Sequence, residues 1–128
     1  MKQKIGLVAL VVADYEPALQ FFVGGLGFDL IEDSPQGEKR WVVVRPKGSE
    51  TGLVIAQAVG SEQQAAIGQQ TGGRVSFFLQ TDDFDRDAGR IVAAGGSFEE
   101  KPRDEAYGRV AVFRDPFGNR WDLIESAT

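Results

Sequence analysis

The sequence predicts an α+β fold of two tandem βαβββ modules, and three observations carry that reading. First, the chain repeats itself. One constant offset takes Leu7 to Ser76, Asp14-Tyr15 to Asp83-Phe84, Gly27 to Gly96, Arg40 to Arg109 and Arg45 to Arg114, and self-similarity at fixed spacing marks a duplicated structural unit. Second, each copy reads as an apolar strand, a short helix stopped by paired glycines (Gly24-Gly25 and Gly95-Gly96), and three more strands. Third, Asp115-Pro116-Phe117-Gly118-Asn119 has tight-turn chemistry. Asp supplies an acceptor, Pro presets φ and Gly takes positive φ. The strand it feeds alternates Arg120, Asp122 and Ile124 against Trp121, Leu123 and Glu125.

Taken in order, Ile5 to Val12 is apolar and β-branched enough for a strand buried on both faces. Asp14 and Pro17 suit the start of a helix ending at Val23. Leu26 to Ile31 reads as the second strand, Ser34-Pro35-Gln36-Gly37 as a turn, Arg40 to Arg45 as the third strand and Gly52 to Ala58 as the fourth. Val59 to Gly73 is a polar connector with a short helix expected at Ser61 to Ile67. The second copy follows: a strand at Val75 to Thr81, an Asp82-Asp83 cap, a helix from Arg86 to Ala94, a weak strand at Phe98 to Lys101, and strong ones at Arg109 to Arg114 and Asn119 to Glu125. The expected organisation is a single domain over residues 1–128, with module 1 at about 4–59, a connector at 60–73 and module 2 at about 74–126. Each module has one apolar sheet face to cover. Two such sheets can form an open, curled, eight-stranded mixed sheet around a cleft, helices outside.

Composition narrows the chemistry. With 19 acidic against 14 basic residues, the net charge of −5 argues against a nucleic-acid partner. There is no cysteine and no histidine, which removes thiolate sites, the commonest metal ligand and the commonest general base. Lys2 and Lys4 before the run Ile5 to Ala13 could pass for a signal peptide, but the repeat favours a buried strand there. No apolar run approaches the roughly 20 residues of a membrane helix. A cytoplasmic protein with no membrane partner is the expectation.

Several stretches together resemble the vicinal oxygen chelate superfamily, which includes glyoxalase I, extradiol dioxygenases, and fosfomycin and bleomycin resistance proteins. They are Val8 to Asp14, Leu26-Gly27-Phe28, Thr81-Asp82-Asp83-Phe84 and, above all, Asp115 to Asn119. The resemblance spans nearly the whole chain and is specific for fold rather than activity. Metal-binding members take four ligands, usually His or Glu, from the first and last strands of each module. Matched here, those positions are Leu7, Val54, Ser76 and Asp122. Only Asp122 keeps a usual ligating side chain, and a divalent ion needs three or four donors. The resemblance therefore implies the family's cavity without its metal or any other cofactor, and a homodimer of the kind the family commonly forms.

The family analogy turns Leu7, Ser76 and Asp122 inward. Alternation then adds Ala9, Val11, Phe78, Gln80, Arg120 and Ile124, and the third strands add Trp41, Val43, Arg45 and Val110, Val112, Arg114. Leu7, Trp41, Val54, Ser76, Phe78, Tyr107, Arg114 and Asp122 are the candidate ligand-binding residues, and Asp122 is also the candidate catalytic group. Asp122 either grips a substrate or shuttles a proton, or it fills the old metal position in an ion pair with Arg120 or Arg114. Trp41 reads as a wall for a flat ligand or as plain core. Tyr107 gates the cleft mouth or sits at a surface. Arg40 and Arg109 read as exposed edge charges, and Asp82, Asp83, Asp85 and Asp87 as a cap and solvated helix start. The expected function is metal-free binding of a small aromatic or amphipathic molecule. The alternatives are a divalent-metal-dependent lyase, isomerase or dioxygenase, a metal-independent enzyme using Asp122, and a subunit with a vestigial cleft.

Overall fold

The computed structural model describes residues 1–127, and the chain divides into two compact units, Met1–Ala65 and Ala66–Thr128. In the first, β1 (Leu7–Val12) leads into α1 (Tyr15–Leu19), which widens into a π-helical stretch, Gln20–Gly25. Then come β2 (Asp29–Gln36), β3 (Lys39–Arg45) and β4 (Gly52–Gln57), in sheet order β1-β4-β3-β2. The pair β1–β4 is parallel and the others antiparallel. After α2 (Gly60–Ala66), the second unit repeats the plan with β5 (Phe77–Thr81), α3 (Phe84–Ala93), β6 (Ser97–Phe98), β7 (Arg103–Glu105), β8 (Gly108–Arg114) and β9 (Arg120–Ser126). Its order is β5-β9-β8-β6, with β7 also paired to β8 and β5–β9 parallel. The tandem α+β architecture thus holds, as two sheets of four and five strands rather than eight strands in all.

Each sheet has one face covered by its own helix. In unit 1, Leu10, Val12, Val42, Val44 and Ile55 are buried with Phe21 and Phe22. In unit 2, Ala111, Phe113, Trp121 and Leu123 are buried with Phe84 and Ile91 of α3. The Trp121 ring stacks on Phe113 at 5.7 Å and lies 4.6 Å from Phe77. Asp83 caps α3 by accepting the Arg86 N–H at 3.0 Å, and Glu125 of β9 accepts the Phe84 N–H at 2.7 Å. The acidic cluster is therefore a cap and helix start, with Asp82 and Asp87 both paired to Arg86.

Four expectations need correcting. β1 is covered on one face only, Leu10 and Val12 being buried while Leu7 and Ala9 on the other face are exposed, because a single helix supplies the cover. β2 runs on through Ser34, Pro35 and Gln36 to a two-residue turn at Gly37-Glu38; it is the outer strand, where Pro35 breaks no inner ladder. The region after Phe98 holds a strand that sequence reading missed, β7. Glu100 spans the interruption by accepting the Val112 N–H at 2.9 Å, which a ladder carbonyl would otherwise do.

The fourth concerns Arg40 and Arg109, which are not loose edge charges. Each guanidinium sits over the aromatic ring that opens its own unit's helix, Arg40 at 4.9 Å from Tyr15 and Arg109 at 5.1 Å from Phe84. The repeat thus preserves an interaction as well as a pattern. The copies differ by one hydroxyl, for a visible reason. In unit 2 the β8–β9 ladder continues through Arg109, whereas in unit 1 the β3–β4 ladder stops at Val42 and Ile55. Beyond that point the Tyr15 hydroxyl replaces the missing strand, accepting the Arg40 N–H at 3.2 Å and donating to the Arg40 carbonyl at 3.3 Å. Tyr15→Phe, which copies the other unit, should strand these backbone groups and cost about 1–2 kcal/mol. Chemical denaturation reads the loss; an unchanged midpoint would mean that the hydroxyl does not bridge the gap.

Candidate functional site

The geometry of unit 2 starts from Asp115. Its carboxylate is 4% exposed and accepts four N–H groups: backbone Phe117 (3.0 Å) and Asn119 (2.9 Å), Asn119 Nδ2 (3.0 Å) and Trp121 Nε1 (3.0 Å). Burial pushes its pKa up, while the four donors hold it down. Gly118, at φ 97°, closes the turn, and its N–H reaches the Asp115 carbonyl at 3.1 Å. With Trp121 tied to the turn and buried against Phe113, β9 cannot rotate. Asp122 must then face the sheet's open side.

On that side Asp122 lies level with Phe78 of β5 and Val112 of β8. Phe78 is 63% exposed. The Asp122 Oδ1 is buried with no hydrogen-bond partner. Of the two readings of Asp122, the ion pair with Arg120 or Arg114 is not made among the described residues, because Glu99 takes both. Its carboxylate accepts Arg120 Nε at 2.8 Å and Nη2 at 2.9 Å, and Arg114 Nε lies 3.0 Å away. That pairing holds Glu99 below its ordinary pKa. Loss of solvent raises the Asp122 pKa, Glu100 adds to the rise, and Arg103 and Arg120 oppose it from a distance. Sequence reading missed Glu99 and Glu100, which fall between β6 and β7, and Arg103, which opens the short β7; the Glu-Glu pair ahead of a basic segment was the available signal.

The other candidates separate. Ser76 precedes β5, its N–H donates to the Arg120 carbonyl and its hydroxyl pairs with Thr71 at 2.9 Å. It is therefore one row away from Asp122. Tyr107, 58% exposed, lines an open depression of about 640 Å³ with Gln80, Ile124 and Glu125, and Asp122 is not among its walls. In unit 1, Leu7 is level with Gly52 and Val54 with Ala9, all facing the open side of the sheet. Trp41 and Val54 line a second depression, of about 320 Å³, at the split between β3 and β4.

A duplicated βαβββ unit with one open sheet face each defines a class of small mixed α+β proteins that present their chemistry on the sheets. The chain belongs to the Glyoxalase/Bleomycin resistance protein/Dioxygenase superfamily, whose family model matches residues 4–123. It is 52% identical to an uncharacterised protein of Shewanella frigidimarina over 98% of this chain and 95% of that one. It is 35% identical to the uncharacterised protein YetH of Bacillus subtilis, over 98% and 100%. Among solved structures, TnmS3, an antibiotic-binding protein from Streptomyces sp. CB03234, superposes with a TM-score of 0.78 at 32% identity, covering 98% of both chains.

The residues present do not fit the divalent ion that other members of the superfamily hold. Leu7 and Val54 are hydrocarbon, and the Ser76 hydroxyl is already shared with Thr71. Among the described residues no group of three or more His, Cys, Asp or Glu is placed to bind a metal. Asp122 is left with the exposure of a ligand and the isolation of a buried acid.

That isolation carries a pH signature. A carboxyl whose folded pKa lies above its unfolded value binds more protons when folded, so its contribution to stability falls as pH rises through that window. Asp122→Asn should therefore melt at or above the parent temperature at pH 7 and lose that advantage as pH falls through the raised folded pKa to the unfolded carboxyl value of about 3.9. Thermal melts at both ends check it. A variant less stable at pH 7 and equal in acid would show a charge stabilised by a partner.

Proposed function

We propose that the protein binds a small aromatic or amphipathic molecule on the open faces of its sheets, without a metal ion, and works as a homodimer. One observation carries the reading: the superfamily's ligand positions hold Leu7, Val54 and Ser76, while Asp122 keeps an oxygen without a hydrogen-bond partner beside the exposed Phe78 ring. A face built to coordinate an ion is ringed with free donors; this one offers the Phe78 ring and Val112 beside Asp122, while its arginines are taken by Glu99. That suits contact with a ring system and one hydrogen bond or charge contact to Asp122. TnmS3, similar along its whole length, is an antibiotic-binding protein, which agrees with binding rather than turnover. Among the described residues no helix is long and apolar enough to cross a membrane.

Calorimetry against a panel of polycyclic aromatic compounds, with and without EDTA, tests the proposal. At least one compound should bind at micromolar concentration, unaffected by chelation. Phe78→Ala should weaken it about tenfold while leaving stability within about 0.5 kcal/mol, since the side chain is exposed. Binding that EDTA abolishes, with near one metal per chain by elemental analysis, would overturn the reading. Light scattering should return the mass of two chains.

A further inference from the structure

The depression at the β3–β4 split has a charge character of its own. Beyond Val42 and Ile55 the two strands part, and Tyr15 mends only one side of the opening. Trp41 and Val54 supply flat and apolar wall. Around them stand Lys39, Gln36, Gln57 and Gln63. No Asp or Glu lines the hollow, although the chain carries 19.

The two cations at its edge differ. Arg40 is committed: its guanidinium bonds Asp33 at 2.6 and 3.1 Å and Glu16 at 2.7 Å, besides covering the Tyr15 ring. The excess negative charge of that trio stays in water, since the Glu16 side chain is 70% exposed. Lys39 makes no ion pair among the described residues, and alternation puts it on the same face as Trp41. Amide donors stand nearby as well. Gln63 spends its Oε1 on the Val59 N–H at 2.8 Å, which leaves its NH₂ group free to donate. Gln36, level with Lys39 across the hairpin, has no hydrogen bond from its side chain among the described residues.

We propose that this split is an anion-selecting subsite for a flat aromatic monocarboxylate, its ring on Trp41 and Val54 and its carboxylate held by Lys39 and the Gln36 and Gln63 amides. The inference rests on the reading that the protein binds aromatic small molecules, and adds which ones. A single point charge with amide donors suits a monoanion; doubly charged groups draw on arginine forks.

Three probes of one shape decide it: 2-naphthoate, 2-naphthalenemethanol and 2-naphthylmethylammonium, titrated by calorimetry into the full chain. Naphthoate should bind about threefold to tenfold tighter than the alcohol, as expected for a partly exposed ion pair, with the ammonium weakest. Lys39→Met should erase the gap between naphthoate and the alcohol without changing the alcohol's affinity, and 0.5 M salt should weaken naphthoate alone. Trp41→Ala should weaken all three. Equal binding of the three, or a charge preference surviving Lys39→Met, would overturn the inference and leave aromatic binding standing. Binding that survives Trp41→Ala would put the site elsewhere and overturn it too. No binding of any probe would remove the inference together with the reading beneath it.

Discussion

The Asp115 carboxylate is the constraint on which unit 2 depends. A buried acceptor with four N–H donors fixes the turn, Asn119 just ahead of β9 and the Trp121 indole in one act. Buried charge is tolerable only when so fully satisfied. Once Trp121 is locked into the covered face, period-two alternation leaves Asp122 no other direction than the open face. The contrast between the two acids is instructive. Asp115 is almost wholly buried and surrounded by donors, whereas Asp122 is more exposed and has one oxygen with none. The first builds the scaffold, and the second is the group we propose meets a ligand.

The duplicated modules use the same devices with local substitutions. An Arg covers the ring that begins the helix in both, and in each a polar side chain stands in at one interruption of a ladder. Tyr15 does this beside Arg40, and Glu100 does it beside Val112. Interruptions are where sheets acquire hollows. In unit 1 the interruption lies next to Trp41 and Lys39. In unit 2 a dense set of Arg–Glu pairs surrounds the open face instead, and Glu99 absorbs the cations that Asp122 would otherwise attract.

Much of this was legible in the sequence. The constant offset exposed the duplication, the Asp-Pro-Phe-Gly-Asn turn located β9, and alternation assigned the faces of β1, β3, β5, β8 and β9. The misses share a cause. Strand ends and edges are set by partners distant in the chain, so Pro35 looked like a turn until β2 proved to be the outer strand, and Arg103 to Glu105 carried too short a pattern to register. Side-chain pairing was harder still. Arg120 is two residues from Asp122 and on its face, yet the β6–β7 segment brings Glu99 closer to it. The hydroxyl of Tyr15 meant nothing until the β3–β4 ladder was seen to end beside it. Of the eight candidate ligand residues, Trp41 and Val54 line one hollow of unit 1 and Leu7 shares the Val54 face, while in unit 2 Phe78 and Asp122 are level, Ser76 lies one row away, Arg114 is paired with Glu99 and Tyr107 lines another depression.

The central proposal is that this member of the superfamily holds, in place of an ion site, an open sheet face with one acid whose neighbouring arginines are taken by Glu99. Titration of Mn²⁺ into the chelator-treated protein, followed by the electron paramagnetic resonance of the free ion, tests it most directly. The free-ion signal should rise in proportion to added Mn²⁺ from the first aliquot, as it does in buffer. Suppression of the signal up to one equivalent, reversed by Asp122→Asn, would contradict the account.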